Sequence, residues 1–159
     1  NVVVFHSLSK RSNAAGLRSG FVAGDASLIG AFKRLRAYAS AMVPLPVQAA
    51  AAALWRDEAH AAANRDQYRA KFDAAERLLA GRFDFYRPAG GFYLWLNVGD
   101  GEMAAKRLWT EAGIRVLPGA YMGQADANGV NPGAPYIRIA LVNELSVLTA
   151  ALERLVKVL

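Results

Sequence analysis

Apolar and polar positions change period several times along the chain, and each change marks an element. Val2 to Phe5 is an unbroken apolar, β-branched run, which reads as a strand cut short at its start and lacking an upstream sheet neighbour. Ser7 to Gly20 fits neither period and reads as a loop, and Gly20 to Gly24 is short and apolar enough for a second strand. Asp25 then stands as an N-cap for a helix whose stripe is Leu28, Phe32 and Leu35. Pro44-Leu45-Pro46 stops that helix. Val47 to Leu79 is alanine-rich and predicts two helices broken near Trp55 to Glu58, the second burying Tyr68, Phe72 and Leu79 while Arg65, Arg69 and Glu76 lie around that face.

Beyond Gly81 the pattern alternates between strand and helix. Phe92 to Val98 predicts a strand, and Glu102 to Ala112 a helix carrying Met103, Leu108 and Ala112 at helical spacing, closed by Gly113 as a left-handed cap. Ile114 to Leu117 predicts a further strand, followed by an irregular stretch from Pro118 to Pro135. Tyr136 to Val142 predicts a strand in which Arg138 projects opposite Ile137 and Ile139. Asn143 reads as the cap of a last helix with its stripe at Leu145, Leu148, Leu152 and Leu155.

Composition narrows the function classes. With 54% hydrophobic residues the chain is a packed globular protein, and at 159 residues it holds one ordinary domain or a small domain with part of another. The net charge of +6 comes from basic residues scattered among acids and alanines, which predicts solvated helix faces and no nucleic-acid partner. The absence of cysteine excludes disulfides and thiolate metal sites, and His6 and His60 show no metal-ligand spacing. No apolar run reaches the roughly 20 residues that span a bilayer, and no signal peptide is evident, so the cytoplasm is the default location and no membrane is expected.

The chemistry concentrates in Ser7-Leu8-Ser9-Lys10-Arg11-Ser12-Asn13, followed by Gly16-Leu17-Arg18-Ser19-Gly20. Hydroxyls, arginines and glycines just past a strand suit an anionic ligand, because a phosphate needs several donors, a fixed charge and close backbone approach. Lys10 sits among these donors, and a lysine becomes a nucleophile toward an aldehyde when burial or neighbouring cations such as Arg11 and Arg18 favour its neutral amine. His6 reads as a packed or hydrogen-bonded residue rather than a base.

This stretch resembles the lysine signature of class I/II, fold-type I aminotransferases, in which Ser-x-Ser-Lys precedes Gly-x-Arg-x-Gly. Three further landmarks follow in the family's order: Pro88-Ala89-Gly90-Gly91-Phe92-Tyr93-Leu94-Trp95, Val116-Leu117-Pro118-Gly119 and Tyr136-Ile137-Arg138-Ile139. The resemblance implies pyridoxal 5'-phosphate as cofactor, Lys10 as the Schiff-base residue and proton shuttle, Ser7 and Arg18 as ligands of the cofactor phosphate, and Arg138 as the residue that binds the substrate α-carboxylate. It implies an α/β fold, α+β in its smaller part: residues 1–46 as the end of the large cofactor domain, 47–80 as connecting helices and 81–159 as the small C-terminal domain. It also implies amino acid and 2-oxo acid substrates and a homodimer for the full-length protein.

Within the family the lysine stretch, continued by Phe21-Val22-Ala23-Gly24-Asp25, looks like the N-succinyldiaminopimelate aminotransferase subgroup, which implies amino exchange with glutamate on the route to lysine. The family's aspartate at the ring nitrogen, its ring-stacking aromatic and its asparagine all precede the lysine. Nine residues precede it here, so the chain alone is expected to be an incompetent enzyme. Two other readings stay open: a non-catalytic binding or interaction module, and another fold-type I reaction such as a lyase.

Overall fold

The computed structural model describes residues 1–40 and 42–159, which form two compact units, Asn1–Asp66 and Gln67–Leu159. In the first unit, β1 (Val3–Ser7) pairs antiparallel with β2 (Gly20–Gly24), Ser7 opposite Gly20 and Val3 opposite Gly24. The apolar start of the chain therefore finds a sheet partner downstream, on one of its two edges.

The stretch between these strands is not the plain loop its composition suggests. It holds a one-turn helix, α1 (Leu8–Arg11), and a 3-10 turn at Ala15–Leu17. Leu8 explains why: its side chain is fully buried in a segment that is otherwise polar, and its carbonyl accepts from both Ser12 and Ala14 N–H. One apolar anchor thus ties the turn down, a signal too short for any periodicity to show.

Helix α2 (Ala26–Ala39) begins where the sequence predicts, with Asp25 Oδ1 accepting from the amides of Ser27 and Leu28 at 3.0 and 3.3 Å. Its expected buried stripe is corrected. Leu28 and Leu35 are exposed, because a two-stranded sheet covers little of a helix, while Phe32 meets Phe5 edge-on at 5.9 Å. The helix ends at Ala39, before the prolines, and Ala41 lies outside the described residues. The prolines start the next helix: Pro44 is the cap residue of α3 (Leu45–Arg56) and Pro46 lies in its first turn, where a missing N–H costs nothing. The expected break occupies Asp57 and Glu58, and α4 (Ala59–Leu79) follows.

The second unit carries the larger core. A three-stranded antiparallel sheet has the order β3-β5-β4, from β3 (Tyr93–Asn97), β4 (Leu117–Pro118) and β5 (Tyr136–Ala140). Leu94, Leu96, Ile137 and Ile139 bury one face against Phe72, Ala75 and Leu79 of α4, Leu108 of α5 (Gly101–Ala112) and Leu148, Leu152 and Leu155 of α6 (Leu145–Val158). Each fully buried leucine or isoleucine contributes about 1.5–3 kcal/mol.

Three local expectations change here. The predicted strand at Ile114 shrinks to Leu117–Pro118, because left-handed Gly113 turns the chain and Ile114 N–H caps α5 by donating to Leu108 O. Asn143 is not the cap of α6: that position is Glu144, which makes no side-chain cap bond, and Asn143 lies one residue too early. Met103 and Leu145 are exposed, the core positions at those helix starts being Ala104 and Leu148.

Candidate functional site

The lysine turn sits in the connection between two paired strands. Ser7, the last residue of β1, caps α1 with its Oγ, which accepts from Ser9 N–H at 3.1 Å and lies 2.9 Å from Ser9 Oγ. Lys10 occupies the last turn of α1 and is exposed.

Arg18 follows the 3-10 turn in the left-handed region at φ 49°, a conformation that costs a non-glycine residue energy. Its Nη1 donates to Ala15 O at 3.0 Å. Ser7 and Arg18 line one open groove of about 490 Å³ whose walls include Phe5, His6, Phe21 and Phe32, with Arg36 as a second cation. Gly20 also borders it, and a Cβ there would lie 2.4 Å from His6 O. Hydroxyl, guanidinium and aromatic walls together suit a phosphate-bearing planar ligand. Lys10 is not among the residues lining this groove.

Three consecutive side chains after Lys10 reach the α3–α4 junction. Arg11 donates to Leu54 O at 2.8 Å, pairs with Glu58, and sets its guanidinium 5.1 Å from the Trp55 ring. Ser12 Oγ lies 2.8 Å from His60 Nε2, and His60 Nδ1 lies 2.8 Å from Asp57 Oδ2. Asn13, left-handed at φ 51°, donates to Asn64 Oδ1 at 3.0 Å. The bond to His60, followed by the Ala59 amide, holds the Asp57 carboxyl below the usual aspartate range.

The sequence reading weighed His60 only as a metal ligand and missed these contacts, although Asp57 stands three residues before it across a helix start. That spacing was the available signal; the partner Ser12 is 48 residues away and left none. His6 is exposed, with its ring stacked on Phe21 at 5.7 Å and edge-on to Trp55 at 5.2 Å.

In the second unit Arg138 lies on the central strand, opposite Trp95 of β3 and Leu117 of β4. It is half-buried between neighbours Ile137 and Ile139, which point into the core. The Tyr93 ring lies 4.4 Å from its guanidinium carbon, an attraction that fixes the plane of the fork. Tyr68, Phe92 and Tyr93 form a run of ring contacts at 6.1 and 4.1 Å, and buried Lys71 closes it with Nζ 4.8 Å from the Tyr68 ring and 3.0 Å from Leu141 O.

Among the described residues no group of three or more His, Asp or Glu side chains is arranged to hold a metal ion, and no helix is long and apolar enough to cross a membrane.

Residues 1–155 match the family model described as aminotransferase class I and II. The 4-dedimethylamino-4-oxo-anhydrotetracycline transaminase OxyQ of Streptomyces rimosus is 38% identical over 97% of this chain and 41% of its own length. Among solved structures, an aminotransferase of Neisseria meningitidis superposes with a TM-score of 0.90 at 46% identity, covering 98% of this chain and 40% of that one. A probable N-succinyldiaminopimelate aminotransferase of Thermus thermophilus gives 0.82 at 28% identity, covering 99% and 42%. The chain thus spans about 40% of the length of these relatives.

Proposed function

This chain belongs to the class I and II aminotransferases as an α/β portion of their fold-type I architecture, and from that premise we propose that it carries the lysine, phosphate-binding and carboxylate-binding residues of a pyridoxal 5'-phosphate-dependent transamination. The observation that supports this most is that Ser7 and Arg18 border one groove on the hairpin whose connecting segment bears Lys10. When bound, the cofactor supplies an aldehyde and a ring that accepts the electron pair released at the substrate α-carbon.

The chain's own residues then divide the work. Ser7 Oγ and the Arg18 guanidinium bind the phosphate, a charge-assisted pairing. Lys10 would hold the cofactor through its Nζ, and that nitrogen, once the substrate amine has displaced it, would carry the proton removed from the substrate Cα. Arg138 binds the substrate α-carboxylate with its planar fork. Residues 1–46 belong to the cofactor domain, 47–80 connect and 81–159 form the small domain of a homodimeric protein that works in the cytoplasm. The substrate pair we assign is an N-succinylated diaminopimelate precursor and glutamate, a reading favoured by the lysine-stretch resemblance and the Thermus thermophilus neighbour. The chain alone does not turn over.

Reductive trapping tests the central assignment. The chain is incubated with pyridoxal phosphate and cyanoborohydride, and the modified residue is mapped by peptide mass spectrometry. Lys10 should carry the label ahead of Lys33, Lys71, Lys106 and Lys157, and S7A and R18A should each weaken that preference. Even labelling of all five lysines refutes it. Assay of the full-length protein against a panel of amino donors tests the substrate pair.

A further inference from the structure

The most complete polar constellation outside the assigned residues is the line Asp57, His60, Ser12. Asp57 is ionised at neutral pH and can only accept, so the ring proton it faces is the one on His60 Nδ1, and in the neutral ring that tautomer leaves Nε2 as an acceptor. The Ser12 hydroxyl is the donor within reach of that acceptor, at 2.8 Å. One of its two lone pairs is engaged as well, since Arg11 Nη1 lies 3.3 Å from Ser12 Oγ. A serine committed on both sides is a strut. The same three residue types in the same order serve hydrolytic nucleophiles, but here the hydroxyl oxygen also accepts from the Arg11 guanidinium, which withdraws electron density from it.

The strut ends next to the reactive lysine. Ser12 is the C-cap of the one-turn helix whose last turn holds Lys10, and Ser12 N–H closes that turn on Leu8 O at 3.1 Å. A four-residue helix has too few internal bonds to hold itself. What fixes its C-terminal end is the set of bonds from Arg11, Ser12 and Asn13 to the α3–α4 junction, of which the Ser12 bond attaches at the cap itself. We propose that His60, oriented by Asp57, is a positioning residue that holds the Lys10 turn through Ser12. This rests on Lys10 being the cofactor lysine.

Two readouts on the 159-residue chain test it. Hydrogen exchange at the Ser12 and Ala14 amides reports whether the turn is held. The ratio of pyridoxal phosphate trapped at Lys10 to that at Lys33, in the same unit, reports whether holding it matters to the lysine. His60→Ala should raise exchange at both amides roughly two- to tenfold, the effect of losing one hydrogen bond, and should lower the Lys10:Lys33 ratio. His60→Gln, whose amide can both donate and accept, should restore part of each.

Ser12→Ala removes the other end of the bond and should repeat both effects, so the test stands if His60→Ala does not fold. Wild-type exchange in H60A and S12A overturns the strut. Faster exchange with an unchanged Lys10:Lys33 ratio overturns the positioning role while leaving the strut. Wild-type trapping that does not favour Lys10 overturns the cofactor assignment and the positioning role with it, and the exchange data then still report on the strut alone.

Discussion

Gly119→Ala should destabilise the protein sharply, and the structure sets the size of the effect. A Cβ at Gly119 would lie 2.4 Å from Gly133 O, 2.8 Å from Trp95 Cη2 and 3.0 Å from Tyr136 O. Ordinary contact begins at 3.4 Å, so two backbone segments would have to part by about 1 Å. They are not free to do so. Asn131 ties them together, donating to Ala120 O at 2.9 Å while its Oδ1 accepts from Gly133 N–H at 2.9 Å. Gly119 also directly follows the β4 pair in which Leu117 opposes Arg138 and Pro118 opposes Ile137.

Overpacking of this kind costs about 1–3 kcal/mol, and loss of an Asn131 bond adds about 1 kcal/mol, giving roughly 2–4 kcal/mol. At about 2–4 °C per kcal/mol for a chain of this length, Tm should fall by roughly 4–16 °C. Gly30→Ala is the matched control: nothing lies within 4 Å of its Cβ position, and it sits inside α2, where alanine is favoured by up to about 1 kcal/mol. Thermal unfolding followed by near-UV and far-UV circular dichroism should show the two substitutions moving Tm in opposite directions. A Gly119→Ala protein within about 1 °C of wild type would refute the close-approach argument.

Other substitutions read separate parts of the structure. Leu152→Ala empties a fully buried position in the core under the sheet and should cost about 2–5 kcal/mol in urea unfolding. Lys71→Ala removes a buried stem, a ring contact and the donor to Leu141 O, so a loss of about 2–4 kcal/mol is expected, with Lys71→Met recovering more than half through packing alone. The Ser27 hydroxyl and then the Leu28 and Ser27 amides hold the Asp25 carboxyl below its ordinary range. A lowered pKa stabilises above the unfolded value and is lost as pH falls through the folded one, so amide protection in α2, corrected for the intrinsic exchange rate, should fall below about pH 4 in wild type, and much less in Asp25→Asn.

How far the sequence could be read depended on whether a signal was local and periodic. Alternation at Ile137-Arg138-Ile139 placed that strand and its core face, because one-sided burial imposes period two, and Leu94 and Leu96 bury the same face of β3. Leu148, Leu152 and Leu155 did the same for α6 at helical period. The same logic failed for α2, whose apolar stripe at Leu28 and Leu35 stays exposed: periodicity reports a face that seeks cover, and the sheet beside it has two strands. Leu8 failed in the opposite sense, a lone leucine among serines that turned out to be fully buried. Of the candidate site, residues clustered in sequence were legible as a donor set, while Ser12 to His60 and Asn13 to Asn64 were not, since contacts across about 50 residues leave no spacing to detect.

Those contacts also change how the middle of the chain is understood. As sequence, the alanine-rich stretch from Val47 to Leu79 reads as a connector, and its polar residues as solvated faces. In the structure its polar positions are divided by task. Glu58, His60 and Asn64 receive the side chains that follow Lys10, within the unit that ends at Asp66. Tyr68 and Lys71, in the unit that begins at Gln67, support the aromatic run ending at Tyr93 and Arg138. Alanine's small side chain and high helix propensity make such a division workable: it keeps the helix formed with little need for burial, so the few larger residues can be set by what they hold rather than by what they cover. A substitution on α4 should therefore report on the lysine turn or on Arg138 according to its side of the Asp66–Gln67 boundary, a separation that a plain connecting helix would not produce.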